Sequence, residues 1–399
     1  MSSAPGTRSP PTSTRCPTTP SRRRGSDVGA PRSQLRSVAL LALAFACLLG
    51  GASACGGASP QADAPASTAS SSGSDALVLL ASPRLIAAAG LDRLDWQSVT
   101  GGVEVQPYDS GEDLLVDLTA GREADVVEVC SNESAERLAR QGLLQPLDTS
   151  RIAQWDRLYP VLQDQPGVVV DGRVYMVPLT ATVSGIIYDP AAVRTPPDSF
   201  RDLFARPHAG HLGFADDAAL AFQIAALNLG LPDPAALSAE QALDAEVYLK
   251  HYKKNYRSFW YDLDNLASAF KGGRVTIAVG DRRDALELKR RGAPVAFALA
   301  TEGQPLAVCG LAITAGARDL DAAYALIARC LRPGAQAGLA VAGGDPVANR
   351  DAAVLVRPSE RIRLGLTDLA RLDSPIARLP SLEHLDWIQA WYEVKKGRG

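Results

Sequence analysis

Nucleophilic catalysis by a cysteine needs a base placed beside the thiol, and this sequence has few bases to offer. His208, His211, His251 and His384 are scattered, and none falls in a recognisable pairing motif with Cys130, Cys309 or Cys330. No Cys-x-x-Cys or comparable metal-ligand spacing occurs. No enzyme, metal centre or cofactor is therefore expected. The remaining chemistry is recognition by charge and aromatic surface. Tyr108 and Asp109 follow one strand-like run, and Ser131, Asn132 and Glu133 follow another, ADVVEVC. Asp217 precedes an apolar helical stretch, Trp260 and Tyr261 stand in Phe259-Trp260-Tyr261, and Asp281, Arg282 and Arg283 follow VTIAV. Carboxylates and aromatic faces suit an ammonium on a methylene chain, and guanidinium groups suit an anion. Each residue also has a plainer use. Asp217 and Asp281 stand where a helix N-cap belongs, as does the segment 131–133, and the aromatic triplet can pack in a core.

The elements that would position these groups begin late in the chain. The 399 residues are 46% hydrophobic and 21% charged, ordinary for a globular protein with two domains. Residues 1–30 are rich in Ser, Thr, Pro and Arg, with little to bury. Arg32 and Arg36 then precede twelve apolar residues, VALLALAFACLL, and Ala52-Ser53-Ala54-Cys55. This is the order of a secretory signal, too short for a membrane-spanning helix. The Cys after small residues resembles a bacterial lipobox, so residues 1–54 are expected to be removed and Cys55 lipidated. The protein would then be exported to the periplasm or cell surface and held at the membrane. Simple cleavage after Ala54 is the alternative. Residues 55–75 form a Gly/Ala/Ser/Pro tether. Residues 1–54 hold seven Arg and one Asp, so without them the formal charge moves from −3 to −9. That excess of acid excludes nucleic acid as a partner.

From Asp75 short apolar runs alternate with amphipathic stretches, the pattern of α/β construction. Strands are expected at 76–81, 103–106, 124–130, 173–178, 185–188, 211–215, 275–279, 294–299 and 306–314. Helices are expected near 112–120, 133–141, 218–229, 239–252, 264–271, 281–291, 320–331 and 382–396. The run passes through one α/β unit, then a second, and then returns.

Several strings along this order resemble the periplasmic spermidine/putrescine-binding proteins of ATP-driven import systems. They are Ser199-Phe200-Arg201-Asp202-Leu203-Phe204 followed by Ala209-Gly210-His211-Leu212 and Asp216-Asp217, together with Ala124-Asp125-Val126-Val127 and Gln141-Gly142-Leu143-Leu144. Glu302-Gly303, Leu311-Ala312-Ile313, Leu331-Arg332-Pro333 and Ala348-Asn349 continue the series over nearly all of residues 76–399. The resemblance implies a periplasmic-binding-protein-like type II fold, two α/β lobes joined by two crossover strands with a ligand cleft between them. Lobe 1 would comprise 76–180 plus 306–345 and lobe 2 185–299, with crossovers near 178–188 and 298–307 and a C-terminal helical segment, 346–399, packing on the lobes. It implies a monomer that captures a small polar solute and delivers it to an ABC permease and ATPase complex. A surface receptor with the same fold is the competing expectation, and a cysteine-dependent enzyme a more distant one.

Ligand residues implied by the resemblance or by topology are Ser82, Arg84, Tyr108, Asp109, Ser131, Asn132, Asp217, Trp260, Asp281 and Cys309. The polyamine set is altered. The loop Ala81-Ser82-Pro83-Arg84-Leu85 lacks the family's aromatic and adds a cation. Val279 or Gly280 stands for a Trp, Cys309 for an Asp, and Leu220 for a carboxylate. Arg84, Arg282 and Arg283 would suit an anionic group instead. Cys130 and Cys309 both fall at strand ends of lobe 1; an oxidising compartment allows at most one disulfide among Cys130, Cys309 and Cys330, and whether it joins Cys130 to Cys309 is left open by the sequence.

Overall fold

The computed structural model describes residues 76–87, 102–366, 368–371, 375–377 and 385–396. The leader, the lipobox at Cys55, the tether and His384 lie outside the described residues.

The order of elements is β1 (Leu77–Ala81), β2 (Val103–Pro107), α1 (Gly111–Thr119), β3 (Val126–Val129) and α2 (Asn132–Arg140). A small hairpin follows, β4 (Val169–Val170) with β5 (Arg173–Val174), and then the long β6 (Val177–Tyr188). Next are β7 (Leu212–Ala215), α3 (Ala218–Leu229), α4 (Ala239–His251), β8 (Tyr256–Trp260), α5 (Leu263–Lys271), β9 (Ile277–Asp281) and α6 (Arg282–Arg290). The chain returns through β10 (Ala296–Ala298) and β11 (Gln304–Ile313) to α7 (Leu320–Cys330), α8 (Pro333–Gly343), β12 (Pro375–Ala377) and α9 (Leu385–Lys395).

The main path of the sheet runs β2-β1-β3-β11-β6-β9-β7-β8. β1 is parallel to β2 and β3, and β7 to β8 and β9, so two parallel units stand at the ends of this path. Between them β11 is antiparallel to β3 and β6, and β6 to β9. β1, β3 and β9 are buried along their whole length, as strands covered on both faces are, and all but Glu128 of β3 and Asp281 of β9 are apolar.

Two hydrophobic cores follow this division. The first gathers Leu79, Val127, Leu138, Met176, Leu311 and Ile327, and the second Phe200, Phe214, Phe222, Tyr256, Ile277 and Leu288. β6 joins them: residues 177–183 pair with β11 and residues 184–188 with β9. The return crossing is β10, paired with the far end of β6, followed by β11. The C-terminal residues divide between the cores, with Leu364, Leu366 and Leu369 in the first and Trp387, Trp391 and Val394 in the second.

Local signals account for the helices that frame the cleft. Asp217 caps α3 by accepting from Leu220 N at 3.0 Å, and Gly230 ends it in the left-handed region with φ 71°. α3, AALAFQIAALNL, is apolar but for Gln223 and Asn228 and is buried over all but its last residue, so it needs cover on every side. α9 supplies part of that cover, and Trp387 stacks on Phe222 with ring centroids 5.0 Å apart. α9 is fixed in turn by Trp391 Nε1 and Lys395 Nζ, both donating to Asp216 at 2.9 and 2.6 Å.

Candidate functional site in the interlobe cleft

The carboxyl ends of β1 and β3 meet at Glu128, which is 4% exposed. Its Oε2 accepts from Ser82 N at 2.7 Å, while Ser82 Oγ accepts from Leu85 N and starts the helical turn 83–87. Tyr108, also buried, donates its hydroxyl to the Glu128 carbonyl at 2.8 Å. Burial raises the pKa of the Glu128 carboxyl above its ordinary value, against the hydrogen bonds from Ser82 and the charge of Arg84. Beside it Cys130 and Cys309 are joined by a disulfide, with Cys130 Sγ 3.4 Å from Glu128 Oε1.

Asp345 is the second buried acid, and its side chain is 3% exposed. It lies in Gly343-Gly344-Asp345-Pro346 after α8, a segment fixed by Ala181 N donating to Pro346 O and Ala348 N to Leu179 O. Arg84 forms an ion pair with Asp345 from the first core. Arg283, at the start of α6 in the second core, reaches the same carboxylate at 3.5 Å. Burial, then Arg283, lowers the pKa of Arg84 to about 10, although Glu128, Asp281 and Asp284 oppose the shift. Arg282 pairs with Asp368 and lies over the Phe297 ring, 4.5 Å from its centroid. The three arginines that would suit an anionic ligand thus all face carboxylates of the protein.

Asp281 caps α6, and Ser184 donates to it at 2.6 Å. Asp109 is exposed just beyond β2. Ser131 caps α2 by accepting from Ser134 N at 3.2 Å. Asn132 is 1% exposed and accepts from Val308 N at 2.9 Å, tying α2 to β11. Trp260 is buried and donates from Nε1 to Val279 O at 3.1 Å. Its indole fills the space beside Gly280, where a Cβ would come within 2.8 Å of the ring. Tyr261, the next residue, is 87% exposed at the carboxyl end of β8.

Of the residues singled out from sequence, the structure brings Ser82, Arg84 and Cys309 together around Glu128, while Asp281, at the end of β9, is held by Ser184. Ser131 and Asp217 are engaged in helix caps, Asn132 Oδ1 accepts from β11, and Trp260 Nε1 donates to Val279 O. Glu128 and Asp345 had no sequence signal of their own. The cavity lined by Arg84, Glu128, Leu179, Thr180, Cys309 and Asp345 measures about 20 Å³. That is room for about one water, far below the several hundred Å³ of a solute pocket. A larger cavity of about 330 Å³ lies at the opposite end of β3, between Leu118, Arg122, Asp125, Thr314 and Arg318.

Residues 98–359 match the model of the family described as bacterial extracellular solute-binding protein. The chain belongs to that family. It is a solute-binding protein and not an enzyme. Among its relatives, the spermidine/putrescine-binding periplasmic protein of Escherichia coli K12 is 28% identical over 262 residues, 63% of this chain and 71% of the relative. The spermidine/putrescine ABC transporter substrate-binding protein of Streptococcus pneumoniae superposes with a TM-score of 0.67 at 18% identity, covering 81% of this chain and 99% of the other. A lipoprotein of Treponema pallidum superposes with a TM-score of 0.61 at 20% identity, covering 80% and 99%. These neighbours establish the type II periplasmic-binding fold, as the sequence strings implied.

Proposed function

We propose that this solute-binding protein is the lipid-anchored receptor of an ABC importer, that it captures a small solute bearing an amine, and that it hands this solute to a membrane permease. The observation that carries the reading is the convergence of acids on the cleft, Glu128, Asp345 and Asp281 buried and Asp284 half-buried. Glu128 and Asp345 come from the first core, and Asp281 and Asp284 stand at the facing start of α6. Buried carboxylates attract an ammonium strongly because water screens them poorly. The names of the relatives, spermidine/putrescine-binding, support an amine. The proposed contacts are Glu128, Asp345 and Asp281, with Ser82 at the floor and Tyr261 at the lip.

Thermal shift of the purified protein against putrescine, spermidine, amino acids and small carboxylates tests the ligand class. A ligand specific to the folded state at a hundredfold excess over its Kd stabilises by about 2.7 kcal/mol. A saturable rise with an amine is expected, and a rise with carboxylates alone would refute the reading. The anchor is tested separately. Cys55→Ser should move the protein from the membrane fraction to the soluble one, and unchanged membrane retention would count against lipidation at that residue.

A further inference from the structure

The acids of the cleft are not empty-handed. Asp345 is almost wholly buried and held by backbone bonds on both sides, so its carboxylate cannot turn to solvent. Glu128 is 4% exposed. Two buried carboxylates without a cation would cost several kcal/mol each in lost hydration. Arg84 supplies the cation. It stands on the short helical turn after β1, forms the ion pair with Asp345, and lines the same small cavity as Glu128. With its guanidinium there, about 20 Å³ is left, and no solute fits.

We infer that the Arg84 guanidinium is a tethered plug in the cation subsite of the cleft, paired with Asp345 beside the buried Glu128, and that an amine-bearing ligand binds by taking its place. The inference rests on the proposed function only for the identity of the incoming ligand. The exchange replaces one cation by another, so the buried acids stay compensated at each end of the process. Arg84 has a route out, because its side chain is 36% exposed while that of Asp345 is 3% exposed. The flexible partner therefore moves and the fixed one remains. Arg283 approaches the same carboxylate from the second core at 3.5 Å, so the plugged state also carries a contact between the cores. Arg84 thus sets both selectivity and threshold: a ligand must offer a cation that competes with an attached guanidinium.

Chemical rescue tests the plug without knowledge of the natural ligand. Arg84→Ala and Arg84→Gln open the subsite, and free n-propylguanidinium chloride at millimolar concentration is titrated against each, with matched sodium chloride as control. Both variants should show a saturable rise in Tm, at least threefold larger than that of the wild type, and adding Asp345→Asn to Arg84→Ala should remove it. No saturable rise in either Arg84 variant would overturn the plug. Calorimetry with an amine that binds the wild type gives a second reading. Arg84→Ala should bind it at least tenfold more tightly, and weaker binding would make Arg84 a ligand contact and overturn the plug. Rescue by n-propylguanidinium in a protein that binds no amine would leave the plug standing and sink the proposed solute class. Amine binding by the wild type without rescue would do the reverse.

Discussion

Ser184 donates its hydroxyl to Asp281 Oδ1 at 2.6 Å, at the residue where β6 leaves β11 and begins to pair with β9. The bond joins the crossing strand to the cap of α6, whose next two residues reach Asp368 and Asp345. Ser184 is fully buried, so water does not replace a lost donor. Ser184→Ala is expected to cost about 1–3 kcal/mol, the penalty for leaving a buried acceptor short of a partner. Urea unfolding should show a lower midpoint at an unchanged m-value. An unmoved midpoint would show that Asp281 does not depend on this hydroxyl.

Asp125 is 2% exposed and accepts from Val78 N at 2.8 Å and from Arg318 Nη2 at 2.7 Å. Burial pushes its pKa up, but the hydrogen bonds from Arg318 and Val78 together outweigh it and hold the carboxyl below its ordinary value. A carboxyl depressed in the folded state stabilises above its unfolded pKa of about 3.9, and that contribution fades as pH falls through the folded value. Asp125→Asn should therefore lower Tm at pH 7, and the gap to wild type should shrink as pH falls below about 4. Calorimetry from pH 7 to pH 3 checks this. A gap that persists at pH 3 would assign the loss to hydrogen bonding and not to the charge.

The fold was legible wherever a local signal fixed an element. Asp217 and Gly230 bracket α3, and its observed range, 218–229, is the expected one. β8 was missed because Tyr256-Arg257-Ser258 offers no apolar run, and its pairing with β7 is what makes it a strand. α8 was missed because Pro-Gly-Ala-Gln-Ala-Gly reads as loop, although Pro333 sits at its first turn, where proline is welcome. The strands expected at 173–178 and 185–188 are mainly one strand, β6, since Thr180, Thr182 and Ser184 broke an apolar run that tertiary pairing carries through. Arg84 was found because its loop follows the first strand. Glu128 was hidden inside Val-Val-Glu-Val, and Asp345 in a Gly-Gly-Asp-Pro turn that promises exposure. The turn is buried where residues 346–348 bond to residues 179–181 of β6, a long-range pairing that no pattern along the chain encodes.

Cys130 and Cys309 are joined across β3 and β11, and Cys330 is buried with its thiol pushed up to about 12 by desolvation. Thiolate, the reactive form, is scarce at such a pKa. Iodoacetamide on the native protein without reductant should leave all three residues unmodified by peptide mapping. Unfolding without reductant should label Cys330 alone among them. Replacing Cys130 and Cys309 together by Ser should lower stability by about 2–5 kcal/mol. Labelling of Cys130 or Cys309 in the absence of reductant would show the pair open.

Glu128 sets stability against binding. Its folded-state pKa is raised, first by desolvation and in spite of Ser82 and Arg84. A carboxyl raised in this way contributes its full stability below the unfolded pKa of about 4.3 and loses it as pH rises through the folded value. Ionising the side chain as pH rises is therefore a cost to folding. Glu128→Gln keeps an oxygen for the Ser82 amide and removes that cost, so its Tm should exceed that of the wild type at pH 7 and approach it near pH 4. Binding should move the other way, because an amine loses one buried counter-charge, and a drop of about tenfold or more in affinity is expected. Calorimetric unfolding and amine titration on the same preparation decide the matter. A variant less stable than wild type at pH 7 would mean that the charge of Arg84 compensates Glu128 fully, and an unchanged affinity would place the amine outside its reach.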